Sequence, residues 1–305
     1  MRKTSVTRPQ QEATAQGMAP SPERLGAHVS TQGGPATAPG RGAAIGATAI
    51  QLFTKTPNMW REPVVTPEIA AAFRRAREDH PVASAVSHDS YLINLASPDP
   101  TLRARSLEAF QGELTRSEAL GLDGVVSHPG NFMDDHDAGL ERNADGVTRA
   151  LRAVPGTVMV FLESTAGTGT VLGRSFEELR TLRDLVGEDV RSRVGFCADT
   201  CHLYSAGYDL RNDFDGVWAA WDRIIGLEHL RCLHLNDSKT PFASRKDRHQ
   251  LLAEGSLGAE PFRRIMQDPR FAGIPKILET PKGDEDDVSN DRRMLAMLRE
   301  FAAAN

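Results

Sequence analysis

Cysteine is scarce in this chain, and positive charge is not in excess. The three cysteines are Cys197, Cys201 and Cys232. An odd, low number provides no disulfide framework and fits a reducing compartment. Cys197 and Cys232 fall inside apolar runs, where a thiol serves as a small hydrophobe. Cys201 sits between ionisable neighbours, Asp199 and His202. The formal net charge is -5. That removes the global basic field that advertises nucleic-acid binding, while a local basic rim stays possible. No stretch approaches the roughly 18–20 apolar residues that span a bilayer. No apolar segment follows Arg2 and Lys3 to make a secretory signal. No membrane partner is expected, and the cytoplasm is the default location. A glycine-rich phosphate loop is missing after the first apolar run, which argues against an open dinucleotide-binding sheet.

What is present is a rhythm. Hydrophobic residues make up 40% and charged residues 25% of 305 positions, ordinary values for a soluble globular chain that can bury a substantial core. Residues 1–22, rich in Thr, Gln, Ala, Pro and Ser, read as a disordered tail outside the fold. From residue 23 to 305 short apolar runs alternate with helical patterns. The runs are 25–29, 47–53, 83–86, 124–127, 157–162, 194–198, 230–233 and 275–278. Continuous apolar runs of this length fit strands covered on both faces, as in parallel sheets. Between them, Thr66-Pro67-Glu68 and Asp99-Pro100 read as helix starts, and Ser175-Phe176-Glu177-Glu178 fits a capping box. Further helices are expected at 140–153, around Val217 to Ile225, at 261–266 and at 294–301. Pro35, Pro39, Gly40 and Gly42 make the first gap a short or distorted helix. Eight strands alternating with about eight helices fit a single (β/α)8 TIM barrel.

The ends of the runs carry the chemistry. Runs three to eight finish at His88, His128, Glu163, Asp199, His234 and Glu279. His202 follows the sixth, and Asp247 and His249 follow the seventh. In a barrel the C-terminal strand ends converge on one pocket. One histidine at a strand end is commonly structural; nine metal-competent side chains at corresponding positions are harder to dismiss. Four or five ligands saturate one zinc ion, so nine suggest two or three ions. Five imidazoles with four carboxylates suit zinc or manganese better than magnesium or calcium. A carboxylate such as Glu163 can bridge two ions, and a bridged pair is suited to hydrolysing a phosphate ester. His28 is expected just behind the ligands; His80, His136 and His229 receive no role.

These residues resemble the endonuclease IV family, the metal-dependent AP endonucleases of base-excision repair. The resemblance runs from about Arg24 to about residue 300. It is carried in order by GAHVS (26–30), LFTK (52–55), HDSYLINL (88–95), SHPG (127–130), LESTAG (162–167), DTCH (199–202), LHLNDSK (233–239), DRH (247–249) and LET (278–280). It implies three zinc ions per chain, with manganese able to replace some of them. His88 and His128 would hold the first, and Glu163 would bridge it to the second. Asp199, His234 and Glu279 would complete the second; His202, Asp247 and His249 would hold the third. The implied activity is cleavage of the phosphodiester 5′ to an abasic site, with trimming of blocked 3′ ends. Glu163 and Glu279 are the catalytic carboxylates, Glu279 orienting or deprotonating the attacking water. The implied partner is double-stranded DNA with abasic sites or blocked 3′ ends, bound by a monomer.

The expected DNA contacts are Tyr91, which matches a lesion-probing family residue, with Asn58, Met59 and Arg248. Arg61, Lys239, Arg245 and Lys246 lie in loops on the same face and could grip phosphates. Relatives usually carry an Arg-Gln wedge where this chain has Asn58-Met59; an apolar Met can still wedge, but a charge is lost. Ala253-Glu254-Gly255 replaces the Gly-Glu-Gly that relatives favour, and a small loop adjustment is expected there. The rival reading is a sugar isomerase or epimerase on the same barrel, using one or two divalent ions. Such enzymes need no third ion and lack the D-x-H after the seventh strand.

Overall fold

The computed structural model describes residues 23–283 and 288–304. The tail expected at 1–22 lies outside them. The eight expected runs are all strands: β1 (Leu25–His28), β2 (Ala49–Leu52), β3 (Ser84–His88), β4 (Gly124–Ser127), β5 (Met159–Glu163), β6 (Val194–Asp199), β7 (Leu230–His234) and, after a small hairpin of β8 (Asp237–Ser238) and β9 (His249–Gln250), β10 (Lys276–Leu278). The eight barrel strands pair in parallel, each with its neighbour in sequence, and β1 closes on β10. This is the expected (β/α)8 TIM barrel. Strands β2, β3, β5 and β10 begin a residue or two later than their apolar runs, because the first residues of those runs belong to the incoming turn.

Helices α1 (Ala38–Ala44), α2 (Pro67–Asp79), α3 (Pro100–Leu120), α4 (His136–Ala153), α5 (Phe176–Leu185), α6 (Thr200–Ala206), α7 (Phe214–Ile224), α8 (Glu260–Gln267) and α9 (Ser289–Ala303) fill the connections between strands. Side chains supply several N-caps. Thr66 accepts from Ile69 N, Asp99 from Thr101 N at 2.8 Å, and Ser175 from Glu178 N at 3.2 Å. The capping box at Ser175 is only half formed. Glu178 reaches past the cap and accepts from Gly173 N at 2.8 Å instead. Helix α4 starts earlier than its apolar stripe because Asp135 caps it, accepting from Ala138 N at 2.8 Å. The proline- and glycine-rich first gap holds a 3-10 turn, Pro35–Thr37, and the seven-residue α1.

Alternation along each strand builds two separate cores. Outward-facing Leu25, Ile50, Val125, Val160, Phe196 and Leu233 pack under the helices with Phe73, Phe110, Phe176, Trp218, Trp221 and Phe271. Inside the barrel a smaller cluster holds Ala49, Val86, Val126, Phe161, Cys197, Cys232 and Ile277. Each of these seven is two residues before Gln51, His88, His128, Glu163, Asp199, His234 or Glu279. A period of two keeps both on one face, so the apolar seven form the floor directly beneath a polar ring.

Candidate metal centre

The ring is built by register. Asp199 is the direct partner of His234 across β6 and β7, and Glu163 pairs with Cys197 one layer lower. Two excursions complete the set. After β6, Asp199 caps the short helix α6 by accepting from His202 N at 2.8 Å. The cap turns the His202 side chain back over the pocket. Sequence patterning missed α6 because seven residues give too short a stripe. After β7, the antiparallel hairpin of β8 and β9 returns Asp247 and His249 to the ring. Buried Asp237 anchors the following loop, accepting from Gly255 N at 3.0 Å and Leu257 N at 2.9 Å. Ala253 there has φ 65, the left-handed region that glycine enters freely. The loop does not take up an ordinary right-handed conformation to suit alanine; it keeps the strained one.

All nine expected ligands converge. Their donor atoms form three groups, each within 4.8 Å: His88, His128 and Glu163; Glu163, Asp199, His234 and Glu279; His202, Asp247 and His249. Fully buried Glu163 is the hub. Its Oε2 lies 3.3 Å from His88 Nε2 and 3.1 Å from His128 Nε2. Its Oε1 lies 3.0 Å from His234 Nδ1 and 3.3 Å from His202 Nδ1. Glu279 Oε2 lies 3.1 Å from His234 Nδ1. Asp247 stands between the last two histidines, 3.2 Å from His202 Nε2 and 3.2 Å from His249 Nε2. Asp199 Oδ2 lies 3.6 Å from His249 Nε2, which ties the third group to the second.

Four of the five imidazoles are held by the nitrogen that faces away from their group. His88 Nδ1 donates to Asp89 O at 2.9 Å, His202 Nδ1 to Ser164 O at 2.8 Å, His249 Nδ1 to Glu279 O at 3.2 Å, and His234 Nε2 to Gln51 Oε1 at 2.7 Å. This fixes the tautomer and turns the other nitrogen's lone pair inward, the usual support for a metal-binding imidazole. His249 Nε2 is buried without a hydrogen-bond partner, its neighbouring carboxylates lying off its donor direction. The donor set and its orientation therefore fit divalent cations of the zinc class.

Electrostatics point the same way. Burial opposes the charge of Glu163, yet the surrounding histidines, led by His234 and His128, hold it well below the usual carboxylate range. For His88 burial again opposes charge, and Glu163 outweighs it, raising the imidazole to about 9. His249 also reaches about 9, burial being outweighed by Asp199 and Asp247. Glu279 is lowered in spite of burial, through His234. A pocket that holds carboxylates ionised and draws positive charge onto imidazoles has a strong affinity for cations.

Several supporting residues escaped the sequence reading. Gln51 is fully buried and uses both ends of its amide: Nε2 donates to Glu279 Oε1 at 2.5 Å while Oε1 accepts from His234. An amide in the middle of the apolar run ATAIQLF was the available signal. Asn236, two residues past His234, donates to Asp199 Oδ2 at 2.6 Å and accepts from Glu279 N at 3.0 Å. Ser164 Oγ accepts from Asp199 N. His28 sits behind the ligands as expected, 3.1 Å from Gln51 Nε2 and 4.0 Å from Glu279. His136 instead faces Glu178 at 3.3 Å, away from the ring.

The ring opens into a cleft of about 260 Å³ rimmed by Phe53, Tyr91, Thr280 and Lys282. Tyr91 is 62% exposed at its mouth, edge-on to Phe53 with ring centroids 5.5 Å apart. Asn58 and Met59 project from an exposed loop. Ser90 Oγ ties that loop to the His88 segment by donating to Pro57 O. A partly buried ion-pair network backs the loop, with Lys55 and Arg116 both on Glu62. Arg248 is exposed on the hairpin, its guanidinium donating to the Asp247 carbonyl at 2.6 Å.

Fold and site together define a TIM-barrel enzyme with a candidate multi-metal centre at the C-terminal strand ends. The family model described as xylose isomerase-like TIM barrel matches residues 40–301. Proteins named "Probable endonuclease 4" from Chloroflexus aggregans and Geobacter sulfurreducens are each 44% identical. The first aligns over 91% of this chain and 97% of its own length, the second over 90% and 94%. The crystal structure of endonuclease IV from Thermus thermophilus superposes with a TM-score of 0.81 at 38% identity, covering 91% of this chain and 99% of that one. The chain belongs to the endonuclease IV family, within the xylose isomerase-like TIM barrels. A D-tagatose 3-epimerase-like protein also superposes, with a TM-score of 0.67 at 15% identity over 91% of this chain and 97% of that one, a likeness of fold alone.

Proposed function

We propose that this chain is a zinc-dependent endodeoxyribonuclease of base-excision repair. It hydrolyses the phosphodiester 5′ to an abasic site, leaving a 3′-hydroxyl and a 5′-deoxyribose phosphate, and it trims blocked 3′ ends. Its close relatives bear the endonuclease 4 name. The observation that carries the reading is the third ligand group, His202, Asp247 and His249, joined to the other two through Asp199 and Glu163. A sugar isomerase, the rival on this barrel, needs no third group.

Three zinc ions would be held by the three groups, with Glu163 common to the first and second; when bound they activate water and neutralise charge on the phosphate in flight. The chain's own residues do the rest. Glu279, with one oxygen fixed by Gln51, presents the other toward the second group, where it orients the attacking water and accepts its proton. Gln51 and Asn236 keep the carboxylates of Glu279 and Asp199 from swinging away, and Ser164 fixes the Asp199 backbone and the His202 ring. The depth of the ring requires the abasic nucleotide to leave the duplex, a step easiest where stacking is already lost. Tyr91 meets it at the mouth, and Met59 fills the gap it leaves. Arg248, Lys239, Arg245 and Lys246 lie on exposed loops that can hold phosphates.

The test is incision of a duplex with one abasic site, run with and without a slow-exchange chelation step, with metal analysis of the same preparation. Nicking at the abasic site, about three zinc per chain, and loss of nicking in Glu163→Gln are expected. Equal cleavage of undamaged duplex, or full activity in that variant, would overturn the reading. One or two ions per chain with no nicking would favour the isomerase.

A further inference from the structure

The floor under the ring contains two sulfur donors that hydrolysis does not use. Cys197 on β6 and Cys232 on β7 are register partners, free and fully buried. They face the barrel interior among Ala49, Val86, Val126, Phe161 and Ile277. Cys232 is two residues before His234, so the same strand face carries its thiol just beneath that imidazole. The two sulfurs and a ring nitrogen of His234 lie within 4.8 Å of one another. We propose that Cys197, Cys232 and His234 form a capture site for one thiophilic divalent cation of the cadmium class, reached from the cleft above.

Softness separates this site from the ring. The three ring groups offer only nitrogen and oxygen, whereas two sulfurs select soft cations. Charge balances as well. The entering dication replaces the two thiol protons, which leave to solvent, and the resulting dithiolate complex is neutral. An apolar floor tolerates a neutral complex, where a lone charge would be costly. His234 is the shared member. Recruited downward, it leaves the carboxylates it now meets at 3.0 Å on Glu163 and 3.1 Å on Glu279. Capture therefore inhibits incision, a consequence that rests on the zinc-nuclease reading, while the binding itself does not.

The experiment titrates the zinc-loaded full-length protein with cadmium chloride without oxygen, following thiolate-to-cadmium charge-transfer absorbance, proton release and incision. The expected result is a band saturating at one equivalent, kept in Cys201→Ala and lost in Cys197→Ala and in Cys232→Ala. Incision falls in parallel in the wild type. Cys232→Val, which fills the floor, serves if the smaller residue leaves the barrel unstable. No band, or a band that survives removal of both Cys197 and Cys232, would overturn the proposal. So would a band lost only with Cys201, since Asp199, Cys201 and His249 also lie within 4.8 Å. Absorbance is read independently of cleavage, so a protein that never nicks abasic DNA would refute the nuclease reading and leave this site standing.

Discussion

Gln51 Nε2 lies 2.5 Å from Glu279 Oε1, and its Oε1 accepts from His234 at 2.7 Å. One neutral amide thus sets both a carboxylate's direction and an imidazole's tautomer. Removing such outer support costs roughly 10–100-fold in metal affinity. Gln51→Ala should lose zinc from the second group by about that factor in a chelator competition, with the other ions retained. Unchanged zinc affinity would mean that the carboxylate and imidazole hold themselves.

The proposed third ion can be removed by itself. Asp247 touches only His202 and His249 among the ligands, and its side chain is 46% exposed. Asp247→Asn should lower bound zinc by one ion per chain with little change in thermal midpoint. An ion supplies several kcal/mol to a phosphoryl transition state, so incision should fall on the order of a thousandfold. Metal analysis beside single-turnover cleavage checks both halves.

Protons and cations compete for the ring, and the sign is fixed. His88 and His249 rise from an ordinary 6.5 to about 9 in the protein alone. For chelated protein the pairing contributes stability fully below about pH 6.5 and loses it as pH climbs through about 9. Metal needs those nitrogens bare, so zinc affinity should rise over the same interval as protons leave. Thermal midpoints of chelated protein that increase from pH 6.5 to 9, or zinc uptake without proton release, would contradict this.

We expect Asn58, exposed in the loop beside Met59, to lie on the path of the DNA. Asn58→Arg should tighten duplex binding and steepen its salt dependence by roughly one phosphate contact, a change of about one in the log–log slope. Zinc content should not move. An unchanged slope would place Asn58 off the DNA path.

Ala253 at φ 65 should be strained by roughly 1–2 kcal/mol relative to glycine. Ala253→Gly should raise the thermal midpoint and leave cleavage alone, as read by calorimetry beside the incision assay.

Much of this was legible because of where strands end. A run buried on both faces that stops at His, Asp or Glu marks both the barrel and its ring, as at β5 and Glu163. The hairpin of two-residue strands β8 and β9 was not legible, since two residues have no period. Gln51 escaped for a chemical reason: an amide is not a metal ligand, so a search for ligands passes over it. The half-formed box at Ser175 shows a local motif overridden by tertiary demand. Glu178 serves Gly173 and Arg174, which enter the helix, before it serves the cap.

The floor-and-ring alternation has a consequence for assembly. Seven strands each contribute one apolar side chain and, two residues on, one polar one. A strand slipped by a single residue would turn its ring member toward the helices and an outer-core residue inward. Such a barrel could still bury hydrophobic area, but it could not complete three cation sites. Ion uptake would then act as a proofreading step on the fold: it rewards the one registration in which strands far apart in sequence agree, and it leaves misregistered chains unloaded.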